Sequence, residues 1–281
     1  MMKRVVMVSA IVGAFALMFV PGVQAQTGVV AQSGGGSETG LFSPWTDRIF
    51  VNVNGVGQSL PAPLEIKGGT TFSLYDETGT TSSAQTVTFK KKQFDVSGGV
   101  RVYWNLGLGV GYTSTSTVGT GVLTASSPHP LVYNAPRSAG GTLTGLDHFE
   151  SAFHVMALYV VKLPSNFEVA LSAGPSFFKL SQDTIGTVSI EPEVSPYTKI
   201  TLTNPTVITT EATKVGVNAG LDLAWFSNLS YSVLSNVGVG VFVKYAGTTV
   251  AMTPEGADPI SMKIGGVQYG GGLRIRFKIG P

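Results

Sequence analysis

The 281-residue sequence predicts an all-β fold: eight antiparallel strands closed into a transmembrane barrel. Three observations carry that prediction. Apolar and polar residues alternate with period two through successive segments of about 10–15 residues, the pattern of strands that meet a different solvent on each face. The composition holds 36 glycines, no cysteine and only 12% charged residues, which suits neither a helical chain nor a disordered one. The connections also sort by parity, short after even-numbered strands and long after odd-numbered ones. A barrel with tight turns on one side of a membrane has a reason to do this, and a soluble Greek-key sandwich has none.

Residues 1–25 have the three parts of a secretory signal: Lys3 and Arg4, the apolar run Val5–Val20, and Val23-Gln24-Ala25 before Gln26. The rival reading is a membrane helix. That run is 16 residues long and is ended by Pro21 and Gly22, short of the roughly 20 residues a helix needs to cross hydrocarbon. No cysteine follows the cleavage site, so a lipoprotein anchor is excluded. Removing Lys3 and Arg4 brings the formal charge of +2 to about zero, so bulk charge offers nothing to nucleic acid. Residues 26–46 are rich in Gly, Ser and Gln and read as a flexible periplasmic lead-in, with Trp45 near the inner interface. No later stretch is apolar enough for a membrane helix. Residues 47–281 would therefore form the barrel domain.

The first strand, Arg48–Gln58, points Ile49, Val51 and Val53 outward and Asn52 and Asn54 inward. The second, Phe94–Tyr103, turns Phe94, Val96, Val100 and Val102 out against Asp95, Ser97 and Arg101. After a Trp104-Asn105 turn, Leu106–Ser116 sends three glycines inward, leaving space for a thin water channel. Ala152–Leu163 and Phe167–Phe178 flank a Pro164-Ser165-Asn166 turn, with Glu168 and Ser176 inward on the fifth strand. Lys214–Phe226 turns Asn218 and Asp222 in, and Val237–Ala251 turns in Phe242 and Lys244. The long connections are Ser59–Gln93, Thr117–Ser151, Lys179–Thr213 and Met252–Met262. Within the first of them, Thr70–Tyr75 and Ala84–Lys90 read as a hairpin rising beyond the membrane, turning at Asp76–Gly79, and counting it gives ten strands as the alternative. The Thr-rich segment Thr187–Thr210 reads as a similar extension.

The eighth strand is Gly265–Phe277. Val267, Tyr269, Leu273, Ile275 and Phe277 share one face, and Gln268, Gly270, Gly272, Arg274 and Arg276 the other. Here the chain resembles the small outer-membrane β-barrels typified by OmpA and OmpX, over about Asp47–Phe277. The resemblance implies that Gln268, Gly270, Leu273, Ile275 and Phe277 form the signal read by the barrel-assembly machinery. It also implies a Gram-negative outer membrane as the location, with membrane lipid and lipopolysaccharide as neighbours. The chain departs from the pattern by running past the terminal aromatic to Lys278–Pro281. It has no periplasmic wall-binding domain after the barrel, so that role of OmpA does not transfer.

Alternation places Arg48, Asp95, Arg101, Glu168, Asp222, Lys244, Arg274 and Arg276 in the lumen. Charges enclosed in a narrow barrel must be paired. They read as a structural network filling a lumen with just enough room for side chains, or alternatively as a gate in a small pore. Lys90, Lys91 and Lys92 sit where three ammonium groups could meet lipopolysaccharide phosphates, or form only a solvated loop tip. His129, His148 beside Asp147 and Glu150, and the inward His154 offer a base or metal ligands, but no nucleophile is placed with them. P-loop, HExxH, Rossmann and GxSxG motifs are lacking. No cofactor and no catalysis are expected. The exposed segment Pro128–Arg137 mixes proline, aromatics and arginine, as a recognition loop would, for a ligand the residues do not name.

Overall fold

The structure, a computed structural model, describes residues 47–59, 64–87, 92–192, 195, 197–228, 234–253 and 259–278. The signal segment, the lead-in, Lys90 and Lys91 lie outside them, as does the side chain of Lys92. Twelve strands are assigned: β1 (Ile49–Ser59), β2 (Leu64–Leu74), β3 (Glu77–Val87), β4 (Lys92–Tyr103), β5 (Leu106–Ser127), β6 (Arg137–Lys162), β7 (Phe167–Ile185), β8 (Ser189–Pro192), β9 (Ile200–Thr203), β10 (Val207–Asn228), β11 (Leu234–Met252) and β12 (Ile260–Phe277).

Eight of these close a ring in the order β5-β4-β1-β12-β11-β10-β7-β6 and back to β5, every pair antiparallel. They are the eight strands read from the alternation. One end of the ring, the turn end, carries the tight connections at Trp104-Asn105 and Pro164–Asn166. Non-glycine residues take left-handed backbone there, Trp104 at φ 50° and Ser165 at φ 61°. The opposite, loop end carries everything long.

The strands outrun the expected spans at the loop end, because the Thr- and Gly-rich segments assigned to loops continue the ladder. β5 and β6 pair from Leu106↔Tyr159 to Ser127↔Arg137, so most of the expected loop Thr117–Ser151 is sheet. The register shifts once, at Gly145, whose φ of +87° marks a bulge that an L side chain would strain. The extra residue changes the parity: Leu146, His148 and Glu150 point inward on one side of it, Leu143, Gly141 and Arg137 on the other. The β2–β3 hairpin is the one expected in the first long connection, but its turn is Tyr75-Asp76 rather than Asp76–Gly79. Both turn residues have positive φ, 55° and 57°, which suits the twist of a two-residue hairpin. β3 pairs with the upper half of β5 while β4 pairs with the lower half, so the hairpin stands above the ring as a branch and leaves the ring at eight. β8 and β9 form a separate small ribbon in the third long connection.

The outer face of the ring is apolar and exposed. Val100, Leu108, Leu171, Val217, Leu221, Val239, Val241 and Val243 all face outward with no second sheet against them. Two aromatic belts border this band. Tyr103, Trp104, Tyr159, Phe167 and Trp225 lie toward the turn end; Phe94, Phe153, Phe177, Tyr245 and Tyr269 lie toward the loop end. From Phe167 to Phe177 the chain climbs ten residues of β7. At about 3.3 Å per residue and a tilt of about 40°, that is about 25 Å of height.

Candidate functional site

The lumen is built from the even positions of β1, β7, β10, β11 and β12, the odd positions of β4 and β5, and the even positions of β6 after its bulge. The layer nearest the turn end is centred on Arg276. Its Nη2 donates to Glu168 Oε1 at 2.5 Å and its Nη1 to Asn52 Oδ1 at 3.0 Å. The guanidinium lies between the rings of Phe50 and Phe226, 5.4 and 4.8 Å from their centroids, a stacked arrangement suited to arginine.

One layer further in, Arg274 is completely buried. Its Nε and Nη2 make a two-pronged pair with Asp222, at 3.1 and 2.5 Å, and its Nη1 donates to Asn54 Oδ1. Asn54 in turn donates to Asp95 Oδ1 at 2.8 Å, and Lys244 Nζ reaches Asp95 Oδ2 at 2.7 Å. Two cations and two carboxylates thus compensate one another through a bridging amide, as buried charges require. Above them Thr113, His154, Ser176 and Asn218 form a hydrogen-bonded chain, with His154 Nδ1 2.7 Å from Ser176 Oγ. Asn218 also donates to the carbonyls of Gly174 and Pro175, where the β6–β7 ladder skips and proline has no N–H to offer.

Of the eight charged residues assigned to the lumen, six meet there in three ion pairs. Arg48 is a correction. It lies just before β1 and is exposed at the rim, where the backbone ladder continues but no wall encloses it. Arg101 stays half-buried near the same rim. A residue not assigned to the lumen, Asp47, is buried nearby and pairs with Lys162 at 3.0 Å while accepting from Ser235. Its position at the edge of the first periodic segment carried no inward signal.

Two further expectations change. At two of the inward glycines the space is taken: a Cβ on Gly109 would meet Leu158 at 2.9 Å and Phe50 at 3.2 Å, and one on Gly111 would meet Met156 and Ser97 at 3.4 Å. Large side chains from β1 and β6 occupy the space that small ones on β5 vacate. Nor is the interior polar throughout. Toward the loop end Phe178, Leu180, Val250, Met262 and Ile264 form an apolar layer joined by Ile66 from the hairpin. One lumen cavity, lined by Asp95, Asp222, Lys244 and Phe242, has a volume of about 60 Å³, room for a few waters.

The histidines separate. His148, expected in a loop, sits on β6 fully buried; its Nε2 is 2.9 Å from Glu150 Oε1 and its Nδ1 contacts Gln182. His129 caps its own loop by accepting from Leu131 N at 3.1 Å. Among the described residues no group of three metal-ligating side chains comes together. On β12 the assembly-signal residues divide as the alternation requires: Gln268 is buried in the lumen and Gly270 faces inward, while Leu273, Ile275 and Phe277 face outward.

No family model matches the chain, and no characterised protein matches it in sequence. Several solved structures do match. Neisserial surface protein A aligns over 82% of this chain and 97% of its own, at 13% identity and a TM-score of 0.37. Ail, the attachment invasion locus protein of Yersinia pestis, was solved with the heparin analogue sucrose octasulfate and aligns over 82% and 99%, at 9% identity and a TM-score of 0.36. A second Ail structure gives 8% and 0.35. Such identities transfer no residue role to this chain.

Proposed function

We propose that this protein is a non-catalytic β-barrel of a Gram-negative outer membrane that presents its loop-end superstructure to the exterior as a binding surface. The observation that carries the reading is the exposed apolar band of about 25 Å between two aromatic belts, the height of a bilayer's hydrocarbon as barrels meet it. Tight turns then face the periplasm, and the extended β5–β6 hairpin and the β2–β3 branch face outward. On this reading the signal segment is cut after Ala25, the assembly machinery reads Gln268, Gly270, Leu273, Ile275 and Phe277, and Lys90, Lys91 and Lys92 meet lipopolysaccharide at the outer rim. N-terminal sequencing of the mature protein should begin at Gln26.

The second reading is a narrow diffusion channel. Against it stand the three ion pairs and the apolar cap, which fill the lumen with side chains as a narrow barrel would. In planar bilayers the full-length mature protein is expected to give no reproducible unitary steps. Reproducible steps altered by Asp222→Ala would replace the present reading with the channel. Lipid A mass spectra from cells with and without the protein are expected to coincide, and a new modified species would refute the non-catalytic assignment.

A further inference from the structure

We infer that the tip of the loop-end superstructure holds a binding site for a small monocarboxylate with an apolar or aromatic body. The inference rests on the outward orientation proposed above and adds the ligand class. A cleft of about 330 Å³ opens between the β2–β3 turn, the β5–β6 tip and β8. Its walls include Phe72, Tyr75, Leu131, Ile190 and Tyr197, and Arg137 lies among them. Arg137 is 6% exposed. Its Nη2 donates to the carbonyl of Pro128 at 2.7 Å and its Nη1 to that of Tyr197 at 3.3 Å. Both acceptors are neutral. Its Nε is buried and has no acceptor.

Among the described residues no carboxylate pairs with Arg137. Glu77, at the hairpin tip, instead accepts from the backbone N–H of Asn134 at 3.0 Å, which ties the two tips together and holds the cleft in shape. Among the described residues Arg137 is met by carbonyl dipoles alone, which is costly for a buried cation, whereas Arg274 and Arg276 each have a carboxylate. The buried, unsatisfied Nε–H lies beside Nη2, and that edge of a guanidinium is the one that takes a carboxylate in a two-bond fork, so a ligand would reach it by displacing the neutral Pro128 carbonyl from Nη2. The apolar walls then select what that carboxylate is attached to, as small-molecule sites commonly do.

The test uses the full mature chain in nanodiscs of zwitterionic phospholipid, with empty nanodiscs as the blank. Calorimetric titration with 4-phenylbutyrate is expected to show saturable binding. The isosteric alcohol 4-phenylbutanol, which keeps the body, and acetate, which keeps the charge, should each bind at least tenfold more weakly. Arg137→Gln should cost at least tenfold, and Ile190→Trp, which fills the cleft and leaves the arginine, should abolish binding. No saturable binding of the carboxylate, or equal affinity for the alcohol, overturns the site using the unmodified protein alone. Equal affinity in a folded Arg137→Gln variant overturns it as well. Labelling of Tyr133→Cys in intact cells by a membrane-impermeant maleimide separates the two levels, because the chain has no other cysteine and Tyr133 is 81% exposed. Labelling without ligand binding sinks the site only, and absence of labelling sinks the outward reading on which it stands.

Discussion

A single carboxylate decides whether the middle of the lumen is an asset or a liability. Arg274 is sealed from water, and its charge is met by Asp222 through two hydrogen bonds. Asp222→Ala should therefore destabilise the barrel by about 3–5 kcal/mol, because it strands a desolvated guanidinium. Adding Arg274→Met should restore much of the loss, since a volume-matched apolar side chain has no charge to strand. Urea unfolding of protein refolded into phospholipid vesicles measures both, and a double variant no better than the single would refute the pairing. Arg276→Lys is a subtler case. It keeps the charge but gives up one prong and the stacking between Phe50 and Phe226, for an expected loss of about 1–2 kcal/mol in the same assay.

The strands that meet two solvents were readable because a period of two survives any one substitution. All eight ring strands, and the inward set Asp95, Glu168, Asp222, Lys244, Arg274 and Arg276, follow from parity alone. What parity could not supply was the upper half of β5 and β6, where Thr, Ser and Gly stand on both faces and the buried side holds only a small apolar cluster of Leu123, Leu146 and Ile185. There the ladder holds the segment and no hydrophobic contrast announces it. The bulge at Gly145 breaks the parity further up, so Leu143, Gly141 and Arg137 turn inward at odd positions while His148 keeps the even register of the strand below. The apolar cap was only half legible: parity turns Phe178 and Val250 inward, but Met262 falls in the expected loop Met252–Met262 and Ile66 in the expected connection Ser59–Gln93, so nothing announced that they meet. At this scale the hairpin turn offers a test. Replacing Tyr75-Asp76 with Asn-Gly, residues that adopt positive φ more readily, should stabilise β2–β3 by about 1 kcal/mol. Slower amide hydrogen exchange confined to those strands is the expected readout, and unchanged exchange would mean the turn is not the I′ form.

The whole molecule divides by height, and the same substitution placed at two heights should report it. Val241 faces outward at 60% exposure within the apolar band, and Val122 faces outward on β5 well above the loop-end belt. Val241→Arg is expected to cost about 2–4 kcal/mol on folding into vesicles, and Val122→Arg to stay within about 0.5 kcal/mol. Equal costs would mean that no bilayer surrounds the ring. Finally, β1 and β12 are neighbours, bonded from Ile49↔Phe277 to Ser59↔Val267, so the seam of the cylinder joins the first strand to be made and the last. Until the ribosome has released β12, no portion of the sequence can shut the wall, and an unsealed edge has nothing in hydrocarbon to bond with. On the outer-membrane reading proposed above, such a product would cross the periplasm unfolded and insert as a unit. The same seam allows the ends to be exchanged: a version spliced from residue 278 to residue 47 and reopened between β8 and β9 should adopt an identical cylinder.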